Sequence, residues 1–284
     1  MLKNISFGSD PEFFVYNKDR NQIISSIYLV EGDKETPHPL KDGYAILKDN
    51  ILVEGNVPPT FTGRAFVESI LTLKKHIRNY LSAVFTSLDI VEEDSMDIDP
   101  VFLTHPDALL FGCSPYLNAW DGETYKANDL SDENFRTAGF HVHIGYEKTK
   151  DNHFDNFTIN KVIARAFDLF VTIPSYLEHF DARRFVNYGG LGQFRETSYG
   201  LECRSLGGYF AKDVYLEWLA SNLDKMLEYV SNEDNFNTMT YVEKPELKVM
   251  SDGTLSVDLS IYEELELDLT QLLYNVKTFK HADC

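Results

Sequence analysis

The chain has 284 residues, 43% of them apolar and 25% charged, which excludes a disordered chain and leaves room for one or two domains with a sizeable core. Its 26 Lys and Arg stand against 45 Asp and Glu, a net charge of −19. That charge argues against a protein that coats nucleic acid and against an anionic membrane surface as partner, although a local basic pocket for a small nucleotide stays open.

The first 14 residues have no apolar stretch and carry Asp10 and Glu12, so no signal peptide is read there. No run approaches the roughly 18 apolar residues of a membrane span. Glu12–Asn17 reads as a strand, followed by the turn Lys18-Asp19-Arg20-Asn21 and a second strand over residues 23–30. Residues 44–47 and 51–56 read as a hairpin around Asp49-Asn50, ended by Pro58-Pro59. Thr62 caps a long helix in which Phe66, Ile70, Leu73, Ile77, Leu81 and Val84 recur at helical spacing. Residues 137–146 form the clearest strand, and residues 158–180 a helix that Pro174 kinks or breaks. A strand over 201–206 precedes a helix that Asp213 caps, with Leu216, Leu219, Leu223, Met226, Leu227 and Val230 on its apolar face. Asp252-Gly253 turns a last hairpin, and residues 261–276 read as helix. Hairpins outnumber β-helix-β crossovers, so the expectation is one α+β domain over residues 1–284, a largely antiparallel sheet with helices on one side.

Cys113, Cys203 and Cys284 are too few and too scattered for a disulfide framework or a zinc knuckle. A reducing compartment fits, with Cys113 and Cys203 as small buried residues, and the chain reads as soluble and cytoplasmic. The acidic runs Glu92-Glu93-Asp94 and Glu263-Glu264 read as solvated surface. Trp120 reads as core rather than site wall.

Four segments carry polar side chains two residues apart: Asp10/Glu12, Glu54/Asn56, His141/His143 and Glu202/Arg204. On a strand such pairs point to one face, as Val142 and Ile144 alternating with the histidines suggest. Taken singly, each pair also suits a solvated sheet face. Gathered on one face they make a floor of carboxylates, imidazoles and a guanidinium that repels itself without cations. Hard oxygen donors with one or two imidazoles favour Mg²⁺ or Mn²⁺ over zinc, and Mg²⁺ commonly completes its shell with substrate phosphates. That points to ATP, although no phosphate-binding glycine motif of the common kinds occurs. Arg183, Arg184 and Arg195 flank the glycine stretch 189–192, where backbone and guanidinium can meet phosphate or carboxylate.

Six motifs in order over about residues 5–210 resemble the type 2 phage carboxylate–amine ligase family. They are Gly8-Ser9-Asp10-Pro11-Glu12-Phe13; Val53-Glu54-Gly55-Asn56 with Pro58-Pro59; Gly112-Cys113-Ser114-Pro115 with Asn118-Ala119-Trp120; residues 136–145 from Arg136 to Gly145; Arg184 with Tyr188-Gly189-Gly190 and Phe194-Arg195; and residues 199–206. The last quarter of the chain is less diagnostic. Where the wider superfamily commonly shows Glu-x-Glu, this chain has Asp10-Pro11-Glu12.

The resemblance implies a curved, mainly antiparallel sheet like that of glutamine synthetase, with two or more divalent metals between ATP and substrate. By it, Asp10, Glu12, Glu54, His141 and Glu202 are metal ligands and His143 is a nucleotide-phosphate contact. Arg195 and Arg204 match contacts to the transferring phosphoryl group or acyl phosphate, with Arg184 grouped beside them. The implied reaction joins a carboxylate to an amine at the expense of ATP through an acyl phosphate. Its substrates are expected among amino acids or peptides, and a homo-oligomer is open. If phage-encoded, the protein acts in the host cytoplasm. A metal-dependent hydrolase on the same face and a non-catalytic binding protein are the alternatives.

Overall fold

The computed structural model describes residues 2–109, 115–126, 128 and 133–274. In chain order the elements begin with β1 (Leu2–Ser9), β2 (Glu12–Asn17), β3 (Gln22–Ile24), β4 (His38–Pro39), β5 (Ala45–Asp49), β6 (Leu52–Asn56) and α1 (Gly63–Val84). Then come β7 (Leu88–Val91), β8 (Ser95–Asp97), β9 (Tyr116–Asn118), β10 (Thr124–Tyr125), β11 (Phe135–Thr137), β12 (Val142–Lys148) and α2 (Asn156–Phe167). The rest are α3 (Ile173–Glu178), α4 (Ala182–Asn187), β13 (Gln193–Thr197), β14 (Gly200–Cys203), α5 (Asp213–Ser231), α6 (Glu233–Tyr241), β15 (Leu247–Val249), β16 (Leu255–Val257) and α7 (Ser260–Glu264).

Strand pairing is antiparallel throughout the two main sheets, in the orders β1-β12-β14-β13-β9-β10 and β3-β2-β6-β5-β4, the latter with β7 beside β2. The α+β class and antiparallel sheet read from the hairpins are therefore found, with the pairs spread over two joined sheets rather than one. The chain steps from one sheet to the other at Asp10-Pro11. Proline has no N–H to give to a ladder, which suits it to a crossing point. The seam is closed by backbone bonds: Val57 N–H to Ser9 O and Gly55 N–H to Pro11 O, both 3.1 Å, and Glu12 N–H to Gly139 O at 2.9 Å.

The helices cover the apolar side. Thr62 Oγ1 accepts the Ala65 N–H at 3.1 Å and caps α1, as its sequence predicts. Phe66, Ile70, Leu73, Ile77 and Leu81 of α1 are all buried, whereas Val84 is exposed. The helix lies on β1, β6 and α5, while α2 lies on β13 and β14. Leu73 approaches β6 so closely that a Cβ on Gly55 would stand 2.7 Å from its methyl carbons. A residue without a side chain there lets α1 seat directly behind Glu54 and Asn56. Val142, Ile144, Leu201, Cys203 and Phe194 put the apolar side of the first sheet into this core, each such side chain stabilising by roughly 1.5–3 kcal/mol.

Several expected elements come out differently. The strand read over 23–30 stops at Ile24, because Ser26 Oγ and N–H turn to the Leu52 and Ile51 carbonyls. The strand read over 137–146 divides into β11, paired with β8, and β12, which starts only at Val142. Likewise β14 ends at Cys203, before Arg204. Helix 158–180 splits into α2, a π-helical turn at Asp168–Thr172 and α3, with Pro174 near the start of α3 where its missing N–H is tolerated. Lys212, not Asp213, is the N-cap of α5. The helix expected over 261–276 is the short α7 and a 3₁₀ turn at Leu269–Gln271; residues 275 and 276 lie outside the described residues. The Glu92-Glu93-Asp94 run is not a solvated face. Asp94 is buried and accepts the Tyr209 N–H, and Glu92 meets the buried ammonium of Lys74 at 2.7 Å. Cys203 is buried as expected, and Cys113 and Cys284 lie outside the described residues. No helix among the described residues is long and apolar enough to cross a membrane.

Candidate metal and active site

Register builds the site. In the first sheet Gly8, His143, Glu202 and Arg195 stand opposite one another on four adjacent strands. In the second, Glu12 stands opposite Glu54. At the seam these two rows border a cleft of about 360 Å³. Asp10, Glu12, Glu54, His141, Arg195, Glu202 and Arg204 all line it.

Asp10, His141 and Glu202 form one cluster, with a ligand atom of each within 4.8 Å of the others. Asp10 Oδ1 lies 3.2 Å from His141 Nδ1 and 3.1 Å from His143 Nε2. Glu202, fully buried, sits 3.4 Å from His141 Nδ1, 2.9 Å from Arg204 Nη1 and against Arg195. Tyr188 Oη receives the Arg204 Nε–H and faces His141 Nε2 at 3.1 Å. His143 does not line the cleft. It reaches Asp10 from beyond the wall and shares a 2.6 Å hydrogen bond between Nδ1 and Tyr199 Oη. Burial pushes the Asp10 carboxyl up, but His141 and His143 outweigh it and hold Asp10 well below the usual carboxylate range.

Glu12, Asp49 and Glu54 form a second cluster, again within 4.8 Å. Glu12 Oε2 accepts the Gly139 N–H at 2.7 Å, closing a two-way link with the bond from Glu12 N–H to Gly139 O. A Cβ on Gly139 would come within 2.5 Å of His141 Nε2, so only glycine lets this link and the His141 ring coexist. Burial, then the charges of Asp10, Asp49 and Glu12, drive the Glu54 carboxyl well above its ordinary range; burial raises Glu12 as well.

The donors suit hard divalent cations. Asp10 Oδ1, His143 Nε2 and Glu202 Oε2 are buried with no well-formed hydrogen bond, despite their charged neighbours. Five carboxylates and one imidazole in two groups are the donor set of Mg²⁺ or Mn²⁺ rather than of a closed zinc site.

Arg184 stands apart from the other arginines. It does not line the cleft. It is buried, and its guanidinium donates to the carbonyls of Ala138, Arg204, Ser205 and Leu206, so it fastens the backbone behind the site and has no free face for a phosphate. Arg183 pairs with Asp97 at 2.6 Å and lies over Phe135, also outside the cleft. Trp120 is core, as read, and donates its indole N–H to Asp168 at 2.6 Å.

The sequence reading assigns no site role to Asp49 or Lys34, and holds Gly139 and Tyr188 only as motif residues without a role. Asp49 reads as a turn residue between the strands 44–47 and 51–56, yet it ends β5, and its two-residue spacing from Leu47 puts both on the cleft side.

No curated protein matches the chain. Residues 125–235, which hold His141, His143, Arg195, Glu202 and Arg204, match the family model described as phage phiEco32-like COOH.NH2 ligase-type 2, the family that the motifs resemble.

Proposed function

We propose that the protein is an ATP-dependent carboxylate–amine ligase with a glutamine synthetase-like catalytic sheet. The reading is carried by the cleft in which Asp10/His141/Glu202 and Glu12/Asp49/Glu54 stand beside Arg195 and Arg204. Asp10, His141 and Glu202 would hold one divalent cation, Glu12, Asp49 and Glu54 another. Bound there, Mg²⁺ or Mn²⁺ would supply charge neutralisation for phosphoryl transfer.

In the first step a substrate carboxylate oxygen bonds to the γ-phosphorus of ATP while the bond to the β–γ bridging oxygen breaks, giving an acyl phosphate and ADP. An amine then bonds to the acyl carbon, phosphate leaves with the C–O bond electrons, and the amine proton passes to the acidic cleft or to water. Arg195 and Arg204, which line the cleft beside Glu202, would stabilise the charge that builds on the transferring group. His143, wedged between Asp10 and Tyr199 behind the cleft wall, would orient the Asp10 carboxylate rather than meet the nucleotide phosphates that the resemblance assigns to it.

Hydroxylamine tests this reading, because it is a strong small amine that intercepts acyl phosphates. Incubation with ATP, Mg²⁺, hydroxylamine and a panel of amino acids and short peptides should release ADP and one hydroxamate in equal amounts. Amide cleavage without ATP would instead establish the metal-dependent hydrolase, and neither reaction would leave a binding protein.

A further inference from the structure

The second carboxylate cluster carries its own cation. Lys34 Nζ lies 2.8 Å from Asp49 Oδ2, and Lys34 lines the cleft with Glu12 and Glu54. Three carboxylates within 4.8 Å of one another at a buried seam are self-repelling, and an ammonium is the simplest relief.

The loop that brings Lys34 there is fixed in its backbone but not in this side chain. Gly32 O accepts the Lys48 N–H at 2.9 Å, and Asp33 Oδ1 accepts the N–H groups of Glu35 and Thr36 at 3.0 and 2.8 Å. The Lys34 side chain is 53% exposed, so its ammonium can leave for water on a flexible stem at little cost. The neighbouring Lys48 is drawn away to Asp107 at 3.5 Å.

We propose that Lys34 is a tethered counter-cation of the Glu12/Asp49/Glu54 cluster, which a divalent metal must displace in order to bind there. Lys34 would then stabilise the metal-free protein, set the metal concentration at which the second site fills, and move out toward solvent on loading. The inference rests on the two-metal reading given above, and it makes the second site weaker than its three carboxylates alone would be.

Calorimetric titration of Mn²⁺ alone, without nucleotide, separates the two. Lys34→Met should bind the second Mn²⁺ roughly two- to fivefold more tightly than wild type, the range expected for losing one competing, half-exposed ion pair. Lys34→Arg should stay near wild type. In EDTA, Lys34→Met should melt lower than wild type, and saturating Mn²⁺ should close the gap. In a Glu54→Gln background the gain from Lys34→Met should vanish. Unchanged or weaker Mn²⁺ affinity in Lys34→Met overturns the proposal. Absence of Mn²⁺ binding in wild type and all variants overturns the two-metal reading itself, and this proposal with it.

Discussion

Tyr188 Oη faces His141 Nε2 at 3.1 Å and receives the Nε–H of Arg204. If His141 gives its Nδ1 lone pair to a metal beside Asp10 and Glu202, its proton must sit on Nε2 and be donated to Tyr188. The tyrosine then accepts twice and fixes both the imidazole and the guanidinium. Tyr188→Phe should leave the fold intact yet weaken Mn²⁺ binding and slow turnover by about 10–100-fold, as loss of a partner behind a metal ligand does; a Mn²⁺ titration with a rate assay measures both. Glu12→Gln is a cleaner excision. The amide oxygen can still accept the Gly139 N–H, so the melting temperature should hold while turnover falls at least about 100-fold. Full activity in Glu12→Gln would remove the second cluster from the reaction.

Between strands, the site depends on glycine and on a buried acid. Gly139→Ala drives a methyl into the His141 ring, an overpacking of about 1–3 kcal/mol, and should weaken both melting and Mn²⁺ affinity. Asp168 heads the π-helical turn, beneath Trp120, where burial raises its carboxyl from 3.8 to about 7 against the hydrogen bonds from Trp120, Thr172 and Gly192. Because the folded state then holds a proton that the unfolded chain loses near pH 4, stability falls as pH rises from about 4 to 7, and the penalty is complete above 7. Asp168→Asn keeps an acceptor for Trp120 and removes the ionisation. It should therefore be more stable than wild type at pH 8, by up to about 4 kcal/mol, with little difference at pH 4, as urea unfolding at both values would show.

At the scale of the whole molecule, much of this arrangement was legible. Thr62, the buried stripe of α1 from Phe66 to Leu81 and the hairpin at Asp49-Asn50 all rest on local chemistry and spacing, and each appears where the pattern puts it. What escaped depended on contacts distant in sequence. Nothing near Arg184 tells that four carbonyls from two segments claim its guanidinium. Lys34 sits in a polar loop like any other until β5 brings Asp49 beneath it. The two-residue spacing of His141/His143 and Glu202/Arg204 suggested strand interiors, yet His141 precedes β12 and Arg204 follows β14. Both side chains still reach Glu202, because the backbone stays extended past the ladder, with Arg204 N–H bonded to Gln193 O at 2.9 Å.

Five of the chain's 45 carboxylates stand in the two clusters of the cleft, and on the proposed reading it is there that divalent cations and ATP would meet. The most direct measurement is calorimetric titration of a non-hydrolysable ATP analogue in Mg²⁺, Mn²⁺ or EDTA, on wild type and Glu202→Gln. Binding that needs a divalent ion and is lost in Glu202→Gln is the predicted result. Nucleotide binding that is indifferent to metal and to Glu202, or no binding in any of the three conditions, would contradict the ligase reading.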